Sequence, residues 1–278
     1  MDEFKPHEEG AADFGQVPIE KVQEYWDRRP CNLFHSTADR GTRLYFDEVE
    51  RRKYFVEPHI PGFASFPDWK GKRVLELGCG LGTESINFAR HGAELTPRPR
   101  PPAVRALRLH ADFHQANAEE LDQVLPEGTP LFDLVWSFGV IHHTPHPEKA
   151  IQQIRRLLKP GGELRVMLYS KVSFKLFFLM KETGEWDFSK MDQLIAKYSE
   201  AQTGCPVTYT YTFDDVRRLL EGFEVVEMTK DHIFPWKIDD YKQHRYVKED
   251  YWKDVDEATF RQLEQELGWH TLVRARLL

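Results

Sequence analysis

Cysteine is scarce. The chain has three in 278 residues, Cys31, Cys79 and Cys205, odd in number and far apart. Neither a disulfide framework nor a cysteine zinc cluster is expected, and a reducing, cytoplasmic setting fits. Long apolar runs are missing too: the FKLFFLM stretch at 174–180 is much too short to cross a bilayer. The opening MDEFKPHEEG is acidic and lacks the basic and apolar regions of a secretory leader. Nor is there an excess of positive charge. Against 45 Asp+Glu stand 38 Lys+Arg, a formal charge of -7 and a pI near 6.0, which is a poor overall field for attracting a phosphate backbone. Nucleic acid and membrane are therefore not expected partners. Internal repeats are absent, and compositional bias is confined to one stretch, 96–108.

What is present is an ordinary folded-protein composition, 41% hydrophobic, 13% aromatic and 30% charged. The first seventy residues lack strand alternation but carry two candidate helices, 19–28 and 44–56, and are read as a helical cap, 1–68, ending in the Pro/Gly-punctuated stretch 58–67. Strands then alternate with helices through 69–278, the pattern of a sheet covered on both faces. Strands are expected at 74–77, 93–96, 113–116, 131–136, 164–168, 223–228 and 270–277. A helix at 147–158 opens on Pro147 and places Ala150, Ile151, Ile154, Leu157 and Leu158 on one face before Pro160, Gly161 and Gly162 end it. Thr212 with Asp215 three residues on resembles a capping box. Residues 170–207 interrupt the alternation as a largely helical, aromatic-containing insertion, and 239–256 reads as a solvated surface with a few anchors.

The sharpest motif is VLELGCGLGTES. Gly78, Gly80 and Gly82 alternate between a buried strand and a helix, where missing side chains let backbone N–H groups approach a ligand. The dinucleotide fingerprint G-x-G-x-x-G requires a third glycine where this chain has Thr83, so pyrophosphate is not the expected guest. Cys79, with no base beside it in sequence, reads as a small filler rather than a nucleophile.

Taken in order, Glu76-x-Gly78-x-Gly80-x-Gly82, then Ala116-Asn117-Ala118-Glu119-Glu120-Leu121, then Phe132-Asp133-Leu134-Val135 with Ser137 and His142-His143, then Leu158-Lys159-Pro160-Gly161-Gly162 resemble the class I S-adenosylmethionine-dependent methyltransferases, most closely the bacterial type acting on small molecules. The resemblance covers about residues 70–170, and extends to GFEVVE and the GWHTLVRARL terminus. It implies an α/β fold with a seven-stranded, mostly parallel Rossmann-like sheet whose last strand inserts antiparallel, and S-adenosylmethionine as cofactor at the carboxyl ends of the strands. Carried over by position, it implies that Gly78, Cys79, Gly80 and Gly82 form the cofactor loop and that Glu76 organises the amino group. Asn117 and Ala118 would meet the adenine edge, and Ser137 and Phe138 would line the floor beside the sulfonium. His142 would stand near the methyl group.

One stretch departs from that pattern. The related enzymes usually carry an acidic residue after the second strand to accept the ribose hydroxyls, and that register holds Pro99. The stretch 96–108, TPRPRPPAVRALR, has four prolines and four arginines, which breaks strand and helix alike. Three readings stand: arginines that greet a 2′-phosphate, as in an NADP oxidoreductase; a solvated basic loop with another ribose partner; or a local reading-frame slip that leaves a degenerate cofactor site and an impaired enzyme.

Methyl transfer to a small-molecule acceptor is the expected function, in a monomer or homodimer. It is an in-line displacement that depends mainly on positioning in a dry site. For a hydroxyl or amine acceptor, His142 or His143 is the best placed base. Tyr25, Trp26, His35, Tyr45 and Phe46 of the cap, with Tyr169, Phe174, Phe177 and Trp186, are candidates to enclose the acceptor. His142, His143 and His146 also invite a metal reading, but adjacent histidines point apart and no clustered Asp or Cys accompanies them, so no metal is assigned.

Overall fold

Short, nearly continuous buried runs build the centre of a single sheet of six strands among the described residues: β1 (Arg73–Leu77), β2 (Glu94–Leu95), β3 (Phe132–Phe138), β4 (Leu158–Tyr169), β5 (Phe223–Asp231) and β6 (His270–Leu277), in the order β2-β1-β3-β4-β6-β5. The computed structural model describes residues 13–95, 114–198 and 204–278. β1 to β4 pair in parallel, and β6 runs antiparallel between β4 and β5. The strand expected at 113–116 is not seen: 114–116 belong to no regular element, and Phe113 and the whole of 96–108, including Pro99, lie outside the described residues. The helices are α1 (Ile19–Arg28), α2 (Arg43–Val56), α3 (His59–Ala64), α4 (Thr83–Arg90), α5 (Pro147–Leu157), α6 (Phe174–Thr183), α7 (Met191–Tyr198), α8 (Phe213–Leu219), α9 (Ile238–Lys242) and α10 (Glu257–Leu267).

Local chemistry explains most boundaries. Pro147 opens α5 where its missing N–H costs nothing, and Ala150, Ile151, Ile154 and Leu157 are buried on the face turned to the sheet. At α8 the Thr212 Oγ1 accepts from the Asp215 N–H at 3.2 Å while Asp215 Oδ2 accepts from the Thr212 N–H at 2.8 Å, the expected capping box. In β4, Leu164, Val166 and Leu168 pack on the α5 side, while Met167 and Tyr169 pack against α6 and α7 of the insertion, as a period of two requires. The strand starts earlier than expected because Leu158 pairs with Phe132 across a register shift, so Pro160 to Gly162 form an irregularity within the ladder rather than a stop before it.

The stretch 58–67 is a second difference. It holds α3 and a 3₁₀ turn, Phe66–Trp69, instead of a break. Pro58 sits at the cap of α3, Pro61 in its first turn and Pro67 in the first positions of the 3₁₀ turn, all places where no helical N–H bond is lost. Ile60, Ala64, Phe66 and Trp69 then pack on Val74, Phe88, Leu134 and Trp136. The segment 239–256 is also more firmly held than expected: Arg52 donates to the Tyr241 carbonyl at 2.6 Å, its guanidinium lies 4.3 Å from the Tyr241 ring, and Trp252 is buried with Ile233 and Phe260.

On the α3 side of the sheet Glu163 Oε1 accepts from Arg165 Nε at 2.5 Å and from Arg274 Nε at 3.1 Å. Burial alone would raise the Glu163 carboxyl, but these hydrogen bonds overcome it and hold it below its ordinary 4.5. A depressed folded value means stability present above the unfolded value and lost as pH falls through the folded one. Glu163→Gln is therefore expected to lose about 2 kcal/mol at neutral pH and to flatten the fall in stability below pH 4.5, as read from urea midpoints across an acid series.

Candidate functional site

The carboxyl ends of β1, β3 and β4 lie on one edge of the sheet, and the antiparallel pairing brings His270 at the start of β6 and Asp231 at the end of β5 to the same edge, opposite Tyr169 and each other. The order in which strands are laid down reverses between β1 and β3, since β2 lies to one side and β4 to the other, while the strands stay parallel. A crevice outside the strand ends at such a switch point is where open α/β sheets place ligands.

β1 runs straight into the glycine loop there. Gly78, Gly80 and Gly82 have φ of 71°, 51° and 84°, a left-handed conformation that other residues adopt only with strain. The Gly82 N–H closes the turn on the Cys79 carbonyl at 2.7 Å, and Gly82 then caps α4. A Cβ added at Gly78 would meet Val140 Cγ2 at 2.3 Å, so this glycine is needed for close packing of the loop after β3. Added at Gly80 or Gly82 it would meet nothing within 4 Å. The loop is thus packed from below at Gly78 and open above Gly80. Cys79 is half-buried, and burial with Glu76 nearby pushes its thiol up to about 12, which suits a filler and not a nucleophile.

Below the loop three carboxyl groups share one ammonium. Lys53 Nζ, from α2, donates to Glu84 Oε2 of α4 at 2.7 Å, with side-chain exposures of 12% and 4%. Glu76, at the end of β1, accepts from Ser85 Oγ. Burial, reinforced by Glu84, lifts the Glu76 carboxyl well above the usual carboxylate range, and burial lifts Glu57 to about 7. One ammonium thus faces three carboxyl groups, of which burial favours the neutral form in Glu76 and Glu57, and Glu84 Oε1 is buried without a partner. A positively charged ligand would shift these groups back toward carboxylate, so the site suits a cation.

The later loops complete the crevice. Asn117 caps the 3₁₀ turn Ala118–Gln123, its Oδ1 accepting from the Glu119 N–H at 3.0 Å, which leaves its NH₂ and one oxygen lone pair for a ligand. Ser137 is fully buried with no partner for its hydroxyl, and Phe138 stacks on Trp136 at 5.6 Å. His142 and His143 are buried, and burial drives both pKa values down, His143 to about 4. They differ in their bonds. His143 Nδ1 lies 2.9 Å from the Val207 carbonyl and its ring packs on Trp26 at 4.8 Å, whereas both nitrogens of His142 lack a partner and its ring lies on Tyr169 at 3.9 Å. Trp26 and Tyr169 of the aromatic candidates are therefore at this edge; Phe177 and Trp186 are exposed.

The residues that sequence reading missed come from the cap and the last strand. Lys53 lies four residues after the buried Val49 on α2, and a lysine in register with an apolar helix face is the signal that marks it. His59 Nε2 lies 3.1 Å from His270 Nδ1, and both rings touch Phe138, at 6.0 and 5.6 Å. Positions so distant in the chain offer no spacing to read.

Comparison with known proteins agrees with this fold. The family described as a methyltransferase domain matches residues 49–227. A ubiquinone biosynthesis O-methyltransferase of Xanthomonas oryzae pv. oryzae is 38% identical over 105 residues, 35% of this chain and 43% of that protein. One of Coxiella burnetii is 29% identical over 134 residues, 44% and 57% respectively. The chain thus spans about half the length of the curated relatives it matches. Magnesium protoporphyrin IX methyltransferase from Synechocystis PCC 6803, solved with bound SAH, shares the fold with a TM-score of 0.54 at 14% identity, covering 94% of this chain and all of that one. An S-adenosylmethionine dependent methyltransferase from Mesorhizobium loti gives 0.50 at 18%, covering 78% and 97%. The match to well over half of its residues shows that the chain belongs to the methyltransferase-domain family.

Proposed function

We propose that the protein transfers the methyl group of S-adenosylmethionine to a small-molecule acceptor. The observation that carries this reading is the glycine loop, open above Gly80 and underlain by carboxylates that outnumber their one lysine. The residues fit the group: S-adenosylmethionine brings an ammonium and a sulfonium to a pocket short of positive charge. When bound, it supplies a methyl carbon activated by the adjacent positive sulfur. Glu76 holds the ammonium, and the backbone at Gly78, Cys79, Gly80 and Gly82 approaches the methionine and ribose portions. Asn117 and Ala118 face the adenine edge. Ser137 and Phe138 floor the pocket, while Tyr169 and Trp26 help keep water from it. Either histidine offers a nitrogen to take a proton: both nitrogens of His142 lack a partner, and His143, with Nδ1 against the Val207 carbonyl, keeps Nε2 unpartnered. Hydroxylated small molecules are the first acceptors to try, since the curated relatives are O-methyltransferases. No helix among the described residues is long and apolar enough to cross a membrane, and three free thiols suit the cytoplasm.

Calorimetry with S-adenosylmethionine, S-adenosylhomocysteine and NADPH tests the reading. Micromolar binding of the first two is expected; binding of NADPH alone would overturn it. Glu76→Gln is expected to weaken S-adenosylmethionine about tenfold, the worth of one charge-assisted hydrogen bond, while binding of adenosine, which has no ammonium, stays within about twofold.

A further inference from the structure

We propose that Glu57, His59 and His270 form a binding site for a divalent transition metal of the zinc class, beside the glycine loop and sharing Glu57 with the carboxyl groups around Lys53. One ligand atom from each residue lies within 4.8 Å of the others. His59 Nε2 and His270 Nδ1 are 3.1 Å apart, and His270 Nδ1 is 3.8 Å from Glu57 Oε1. Ligands bonded to zinc at about 2.0–2.1 Å in a tetrahedron stand roughly 3.3 Å from one another, so the two measured separations bracket what an ion needs.

The fold supplies this arrangement without strain on the ligands. Glu57 is the residue after α2 and His59 the first of α3, with Pro58 alone between them. His270 opens β6 on the same sheet edge, in register with Asp231. Asp231 Oδ1 stands 3.5 Å from His59 Nδ1, the ring nitrogen turned away from the cluster, which otherwise has no hydrogen-bond partner. A carboxylate behind a ligating imidazole fixes its tautomer and orientation in metal sites. On its other side His270 stacks on His232 at 4.5 Å.

Two imidazoles and a carboxylate select a borderline ion such as Zn²⁺ or Co²⁺ over Mg²⁺ or Ca²⁺, which prefer oxygen throughout. Three protein ligands leave a fourth position for an oxygen or nitrogen of a bound molecule, the pattern of catalytic rather than structural zinc sites. The metal claim stands on these side chains and does not depend on methyl transfer.

The test uses the full chain, stripped with a chelator and titrated with Zn²⁺ and with Co²⁺ in the absence of any cofactor. Calorimetry is expected to show one equivalent bound at micromolar affinity or tighter, and Co²⁺ to give a visible d–d band. His59→Gln and Glu57→Gln, both at positions outside the strands, should each bind at least tenfold more weakly and lose the band, with unchanged far-ultraviolet dichroism. His146→Gln, on the loop before α5, should bind as the parent does. Absence of stoichiometric binding by the parent, or binding as tight as the parent's by both ligand variants, would overturn the site. S-adenosylmethionine affinity of the metal-free chain, measured separately, reads the cofactor assignment on its own.

Discussion

A Gly80→Leu variant is expected to bind S-adenosylmethionine at least about a hundredfold more weakly than the parent, a loss of about 2.7 kcal/mol, while it still folds. Two facts set this expectation. The space above Gly80 is open, since a Cβ there meets no atom within 4 Å, so a leucine enters the crevice and not the core. The backbone at φ 51° charges a non-glycine residue roughly 1–2 kcal/mol, which lowers the melting temperature by a few degrees in a chain of this size. Gly78 behaves differently, because Val140 already fills the volume a side chain would need; Gly78→Leu should damage folding before it damages binding. Calorimetry and thermal melts on the two variants separate the effects. Equal affinity of Gly80→Leu and parent would mean that the open face of the loop holds no ligand.

Lys53→Met is expected to destabilise the protein by about 3–5 kcal/mol, the cost of leaving a buried carboxylate without its cation. Glu84 is almost fully enclosed, and Lys53 is its hydrogen-bonded partner at 2.7 Å. Glu57 and Glu76 raise the demand, as both act on the Lys53 charge. The double variant Lys53→Met/Glu84→Met removes both members of the ion pair and should recover most of the loss, since two buried charges exchanged for apolar groups of similar size are often neutral. Urea midpoints followed by tryptophan fluorescence measure this. If the single and double variants were equally destabilised, the pair would contribute through packing and not through charge. The same lysine ties α2 to α4, so the single variant should also loosen the cap and weaken S-adenosylmethionine binding.

Much of this architecture is visible in the sequence, wherever the determinant is local. Pro147 and Glu148, the Thr212 and Asp215 cap and the strand running into Gly78 each act within a few residues, and the structure has them at the expected positions. What escaped are features decided by distant partners. Prolines at 58, 61 and 67 read as a break, yet each falls where a helix tolerates it, and the apolar residues between them find Leu134 and Trp136. Leu158 joins β4 only because Phe132 lies across from it. The site divides in the same way. The three glycines announce themselves by spacing and Glu76 only through the family resemblance, but Lys53 finds Glu84 thirty-one residues on, and His59 finds His270 across most of the chain. Only tertiary structure shows that the carboxylates outnumber the lysine.

The antiparallel strand has a consequence for how the molecule is made. β6 is the last strand in the sequence, yet it lies between β4 and β5 and supplies neighbours to both. On the ribosome β5 emerges first and has no lateral partner until β6 follows, seconds later at ordinary rates of translation. For that interval the facing edges of β4 and β5 are unpaired. The edge of the sheet that borrows His270 from the same strand is therefore assembled only once β6 has been made.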